Sequence, residues 1–215
     1  MSRKQQKILE GIEDSSLATR IAYSRLCAAC VEHEAGLMGQ GENSDALRND
    51  LLTQAWLIVD SAHRLNGLLR QLPGLKRTPA VDVIRKETAT AETLRNYIQH
   101  LKDDETPDEP TALWGAFRWV SKTSEPNRFA HHIYIPGPLT EGQSSPSFRV
   151  ERPPFRDPID HFTLTAGGSE VNLTLLIVAI ERFERRLKKT LAEVTINSDD
   201  RVTLIAVGLD DTALV

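Results

Sequence analysis

Val171-Asn-Leu-Thr-Leu-Leu-Ile-Val-Ala-Ile-Glu-Arg-Phe-Glu-Arg-Arg-Leu-Lys-Lys-Thr-Leu-Ala-Glu193 decides the fold. Leu173, Leu175, Leu176, Ile177, Val178, Ile180, Phe183, Leu187 and Leu191 recur as on a helix, and the first half is apolar nearly all round. Such a helix belongs inside a protein, surrounded by partners. Three earlier stretches supply them.

The first partner follows a polar leader. Asp14, Ser15 and Ser16 offer N-cap oxygens, and Leu17, Ile21, Leu26, Cys30 and Leu37 follow at roughly helical spacing. The glycines of Gly36-Leu-Met-Gly-Gln-Gly41 suit a helix end. A second helix starts at Asn43 or Ser44, carries the stripe Leu47, Leu51, Ala55, Ile58, Val59, Ala62, Leu65 and Leu69, and stops at Pro73-Gly74. At about 1.5 Å per residue it is too long to stand without a partner of similar length. Thr78-Pro79 opens a third helix, with proline at the position where its missing N–H costs nothing. Val81, Ile84, Leu94, Ile98 and Leu101 face inward along it.

Short turns between long helices imply antiparallel neighbours. The expected fold class is therefore mainly α, an up-down four-helix bundle built from residues 15–103 and 170–193 of one 215-residue domain. Residues 112–166 form a β-rich insertion before the last helix. Leu113 to Ser121 and Phe129-Ala-His-His-Ile-Tyr-Ile135 are aromatic and β-branched, and Ser124-Glu-Pro-Asn127 between them has turn chemistry. Six prolines exclude regular structure from most of residues 136–158, and Phe162-Thr-Leu-Thr165 returns as a third strand. Gly167-Gly-Ser169 introduces the last helix. Residues 194–215 form a C-terminal hairpin or tail, pairing Val194–Ile196 and Val202–Val207 across Asn197-Ser-Asp-Asp200, with the inserted strands as its neighbours. The acidic, proline-broken Asp103 to Pro110 is a solvated linker.

The chain has 40% apolar residues and a formal charge of −4, enough for a core and unsuited to indiscriminate nucleic-acid adhesion. Only residues 114–157 are net basic. Cys27 and Cys30 lie in Cys-Ala-Ala-Cys within a helical run, without the second ligand pair a metal needs and without the strand that precedes a redox dithiol. They read as core cysteines, so neither a metal nor a cofactor is expected. No membrane span and no signal-peptide stretch is visible, which makes cytoplasmic residence the expectation. Asn172-Leu-Thr174 matches a glycosylation acceptor and reads as chance.

The chemistry gathers in Glu92-Thr-Leu-Arg95-Asn96-Tyr97-Ile98-Gln99-His100-Leu101. Asn96 and His100 are four apart and share a helix face, and the long stem of Arg95 reaches the same groove. A permanent cation, an amide and a group that titrates near neutrality are thus within two turns. A second match, Arg156-Asp-Pro-Ile-Asp-His161, is barred from helix by Pro158.

Arg95-Asn96-x-x-x-His100 near the end of a bundle's third helix resembles the signature of the HEPN superfamily, helical-bundle proteins of which many are metal-independent ribonucleases and others bind nucleotides or partners. The resemblance covers residues 15–101 and 170–193. It implies an endoribonuclease in which His100 is acid and base, Arg95 stabilises the phosphate and Asn96 orients one of them. It also implies a homodimer sharing one cleft, with RNA as substrate; an inhibitory protein is a further candidate partner that the sequence does not reveal. The competing reading is a non-catalytic interaction module that binds a protein or a nucleotide. Asp60, His63 and Arg64 on the second helix form a candidate outer layer, with Arg64 paired to Asp60. Arg118, Arg128, His131 and His132, with Arg149, Arg152 and Arg156, are candidate RNA contacts, although His131 and His132 alternate across a strand. Trp114, Trp119 and Tyr134 are either base-stacking platforms or core of the sheet, with core favoured.

Overall fold

Ser2 starts the first helix a dozen residues before the apolar spacing suggests. Its backbone N–H donates to Gln5 Oε1 at 2.9 Å, and Gln5 N–H donates back to Ser2 Oγ at 3.2 Å, a reciprocal capping box. The polar leader is therefore helix, with Ile8, Leu9 and Ile12 buried along it. In the computed structural model, which describes residues 1–37, 39, 45–100, 114–122, 129–136, 147–149, 159–193 and 202–208, the helices are α1 (Arg3–Leu37), α2 (Asp45–Gln71), α3 (Pro79–His100) and α4 (Leu173–Glu193). The strands are β1 (Ala116–Lys122), β2 (Phe129–Tyr134), β3 (Ser147–Arg149), β4 (Ile159–Ala166) and β5 (Ser169–Asn172). The protein is mainly helical. Helix α1 packs on α2, α2 on α3, α3 on α4, and α4 returns to α1.

Every residue of the expected α2 stripe is buried. The α1 stripe has a different face: Leu26 and Cys30 are buried, while Leu17, Ile21 and Leu37 are exposed. Ser15, Ser16, Thr19 and Ala22 occupy the inner positions instead. Thr19 satisfies its hydroxyl by donating to Ser15 O at 2.8 Å, so a small polar residue can line the interface. Thr78 begins α3 as expected, its Oγ1 accepting from Val81 N–H. Val81, Ile84 and Leu94 are buried, Ile98 is half-buried, and Leu101 lies outside the described residues.

The sheet is antiparallel, in the order β3-β2-β1-β4-β5. The expected β1–β2 hairpin pairs Trp119 with His132 and Phe117 with Tyr134. A bulge opposite Trp119 bends β4, where His161 takes φ 57°. Phe117 stacks on Trp119 at 5.4 Å and on Phe162 at 5.9 Å, and Tyr23 of α1 meets Phe162 edge-on. Helices and sheet thereby share one hydrophobic core.

Three expectations need correction. Gly167 and Gly168, with φ 54° and 71°, do not lead into the last helix but make the two-residue turn between β4 and β5. Val171 is accordingly in a strand, and α4 begins at Leu173, where Asn172 Oδ1 accepts from Leu175 N–H at 2.9 Å. Asn172 is thus a helix cap. The first turns of α4 are also less uniformly buried than their composition suggests, since Leu175 is exposed.

The described part of the C-terminal segment, residues 202–208, docks elsewhere than beside the inserted strands. Ile205 bridges in parallel to Leu75 between α2 and α3, not to the inserted strands. Ile205 N–H donates to Gly74 O, and Lys76 N–H donates to Ile205 O. Gln5 clamps the same place from α1, its Nε2 donating to Pro73 O and Thr203 O. Buried Ile205 and Val207 alternate with exposed Val202, Leu204 and Ala206. Residues 194–200, the linker 103–110 and most of the proline-rich loop lie outside the described residues. The exception in that loop is three-residue β3.

Candidate functional site

The Arg95 guanidinium crosses from α3 to α2. Its Nε donates to Asp60 Oδ1 at 2.9 Å, while Arg64, one turn beyond Asp60, holds Oδ2 at 2.7 Å. Burial works to raise the Asp60 pKa, but the Arg95 hydrogen bond and the charges of Arg64 and Arg95 outweigh it and hold the carboxyl below its ordinary value. The group stays ionised and fixes Arg95 by its inner nitrogen. Among the described residues the two terminal nitrogens of Arg95 have no hydrogen-bond partner. Glu92, on the same helix, is occupied elsewhere, accepting from Asn66 at 3.0 Å and from Arg70 at 2.7 Å.

Asn96 and His100 are exposed, and His100 is the last residue of α3. Tyr97 anchors this part of the helix. A Cβ added to Gly167 would lie 2.2 Å from the Tyr97 ring, so the β4–β5 turn sits directly against the segment that carries the motif. His63 is half-buried with Nδ1 enclosed and without a hydrogen-bond partner, and it does not enter the Asp60 cluster.

A groove runs beside the Arg95–Asp60 pair. One part, about 230 Å³, is lined by Trp56, Asp60, Arg95, Ile98, Gln99 and Trp114. The adjoining part, about 510 Å³, continues along α2 past Thr53 to Asn49 and is closed on the far side by Trp114 and Pro136. Trp56 Nε1 donates to Trp114 O at 3.1 Å, which ties the start of β1 to α2. Trp114 is nevertheless 55% exposed. Trp56 escaped the sequence reading because it sits one position outside the buried α2 stripe, and only its neighbours identify it as a wall.

The remaining sequence candidates are spread over the sheet. Arg118 is exposed on β1, and Arg128, Arg152 and Arg156 lie outside the described residues, as does the side chain of Arg149. His132 turns inward, against the expectation of an RNA contact. Its Nε2 lies 2.9 Å from Ser121 Oγ and 3.3 Å from Glu34 Oε1 of α1, and its ring stacks on Trp119 at 4.7 Å. Trp119, only 1% exposed, donates Nε1–H to Glu34 at 2.8 Å. Tyr134 is half-buried against the core.

Sequence reasoning did not pick out this buried constellation of Glu34, Ser121, His132 and Trp119. It brings a hydroxyl, an imidazole and a carboxylate together, but Ser121 and Glu34 meet the same ring nitrogen. A relay would need them on opposite nitrogens. Burial, then the charge of His131, lowers the His132 pKa to about 4, so the imidazole is neutral. Burial also raises Glu34, against the hydrogen bonds from Trp119 and Ser121 and the charge of His33. The cluster joins α1 to the sheet. Nearby Cys30 is buried and its thiol is pushed up, first by burial and then by Cys27 and Glu34, which suppresses the nucleophilic thiolate.

Among the described residues no three His, Cys, Asp or Glu are placed to hold a metal ion, and no helix is long and apolar enough to cross a membrane. No protein-family model, curated protein or solved structure matches the chain. The likeness to HEPN proteins therefore rests on the Arg95–His100 motif and its place in the helix order.

Proposed function

We propose that the protein is a metal-independent endoribonuclease of HEPN type, its helices forming an up-down four-helix bundle that works as a homodimer. The observation that carries this reading is the attachment of Arg95: Asp60 holds Nε, and among the described residues the two terminal nitrogens, with four N–H bonds, remain for a phosphate, five residues before an exposed histidine. In the proposed reaction His100 takes the proton of a ribose 2′-hydroxyl, and the 2′-oxygen attacks the adjacent phosphorus. The 5′-oxygen leaves with a proton from a second imidazole, that of the partner copy. The terminal nitrogens of Arg95 offset the charge that gathers on the phosphorane oxygens, and Asn96 orients the phosphate or the ring. The products are a 2′,3′-cyclic phosphate and a 5′-hydroxyl.

The test is incubation of wild type and His100→Ala with mixed RNA in excess EDTA. Cyclic-phosphate ends from wild type alone are the expected result. Intact RNA with folded wild type rejects catalysis. It would leave the second reading, a non-catalytic interaction module binding a protein or a nucleotide, which the apolar groove walled by Trp56 and Trp114 favours.

A further inference from the structure

The Trp56–Trp114 groove has no role in the motif chemistry, and it contacts that chemistry at one point, Arg95. We propose that it is a nucleotide subsite for single-stranded RNA, in which one base lies against the exposed indole of Trp114 and the phosphate beside it is held by the terminal nitrogens of Arg95. The choice of occupant rests on the ribonuclease reading; the site itself rests on geometry.

Three features select this occupant. The walls are apolar and aromatic, and Trp114, a residue 55% exposed beside the cavity, offers accessible aromatic surface on which a planar ring can stack. The charge matches: Asp60 carries one negative charge between Arg64 and Arg95, so the cluster at the rim is net positive by one although the chain is acidic. The ends are polar, with Asn49 and Thr53 at one and Gln99 at the other, and can hydrogen-bond base edges along a strand that crosses the groove. A duplex, whose bases are stacked on one another, cannot offer a face to Trp114.

The hydrogen bond from Trp56 to the Trp114 backbone positions this platform. It uses the carbonyl, not the Trp114 ring. Removing the ring therefore leaves the wall's anchor in place.

The experiment is a fluorescence anisotropy titration of the full chain with fluorescein-labelled 2′-O-methyl oligoadenylate, which lacks the hydroxyl needed for cleavage. Wild type should bind, Trp114→Ala should weaken binding by about 5- to 100-fold, and Arg95→Gln should weaken it and flatten its salt dependence by about one phosphate. A thermal melt of each variant guards against unfolding. Equal binding by wild type and Trp114→Ala, or no binding by wild type, overturns the subsite. Cleavage of unmodified RNA is scored in parallel. Trp114-dependent binding without cleavage keeps the subsite and discards the ribonuclease; cleavage with Trp114-independent binding does the reverse.

Discussion

Trp114 and Trp119 are five residues apart, at and just before β1, and belong to different worlds. Trp119 is 1% exposed, stacked between Phe117 and His132 with its N–H given to Glu34. Trp114 is 55% exposed and borders a groove with Arg95 at its edge. Each lies near an acidic side chain, but the two carboxylates are treated oppositely. Burial makes Glu34 harder to ionise, whereas two arginines keep Asp60 ionised. Inside, polar groups satisfy one another and hold α1 to the sheet; at the groove, Arg95 keeps hydrogen-bonding capacity that the described protein does not use. Residue type alone does not make a site. Accessible surface and unspent charge do.

The sharpest way to break this contrast is to remove each indole. Trp119→Ala should cost about 3–5 kcal/mol, since it empties a packed site and deprives Glu34 of a donor. Trp114→Ala should cost under about 1 kcal/mol, in the range of partly exposed surface positions. Urea unfolding of the two variants measures both. Comparable losses would mean that Trp114 is structural and that the groove is a packing flaw.

Part of this contrast was legible in the sequence. The α2 stripe is regular because large apolar residues occupy every inner position, and the even spacing of Phe117, Trp119 and Ser121 puts all three on the buried face. Trp114 precedes that alternation, yet aromatic type alone favours sheet core for it as for Trp119, and its 55% exposure corrects that expectation. The inner face of α1 was illegible because Ser15, Ser16, Thr19 and Ala22 line it, and hydrophobic spacing instead selects Leu17 and Ile21, which point outward. Gly167-Gly168 was a hairpin signal overlooked beside a strong helix. The motif residues could be named, but the partner of Arg95 could not: Asp60 is 35 residues away, and only the packing of α3 on α2 brings it near.

The next effect separates the two regions by pH. His132 titrates at about 4 in the folded chain, below the roughly 6.5 of an unfolded histidine. Between those values the unfolded chain binds the proton and the folded chain does not. Stability is then complete above about pH 6.5 and is lost as pH falls toward 4, by about 2 kcal/mol between pH 7 and pH 5. His33, lowered chiefly by burial, adds in the same direction. Glu34 has the opposite sign: its raised folded pKa gives stability below the unfolded value that disappears as pH rises through the folded one. Asp60, held low, loses its contribution only as pH falls through its own depressed value. His132→Gln should therefore flatten the loss between pH 7 and 5, while Asp60→Asn should leave its slope intact. Denaturant midpoints at both pH values test this, and a wild type equally stable at the two would contradict it.

The smallest effect concerns how firmly the motif end of α3 is held. Gly167 and Gly168 are both left-handed, so alanine at either position pays the same kind of backbone strain, on the order of 1 kcal/mol. Their surroundings differ. A methyl at 167 meets the Tyr97 ring at 2.2 Å, whereas one at 168 has nothing within 4 Å. The excess cost of Gly167→Ala over Gly168→Ala therefore measures the contact between the turn and the Arg95–His100 segment, with an expected size of about 1–2 kcal/mol. Adding Tyr97→Ala to Gly167→Ala should recover that excess by opening the space the methyl needs, and a double-mutant cycle reads the coupling. Equal costs at the two glycines would show that Tyr97 swings aside freely. Arg95 would then be placed by Asp60 alone, without support from the sheet.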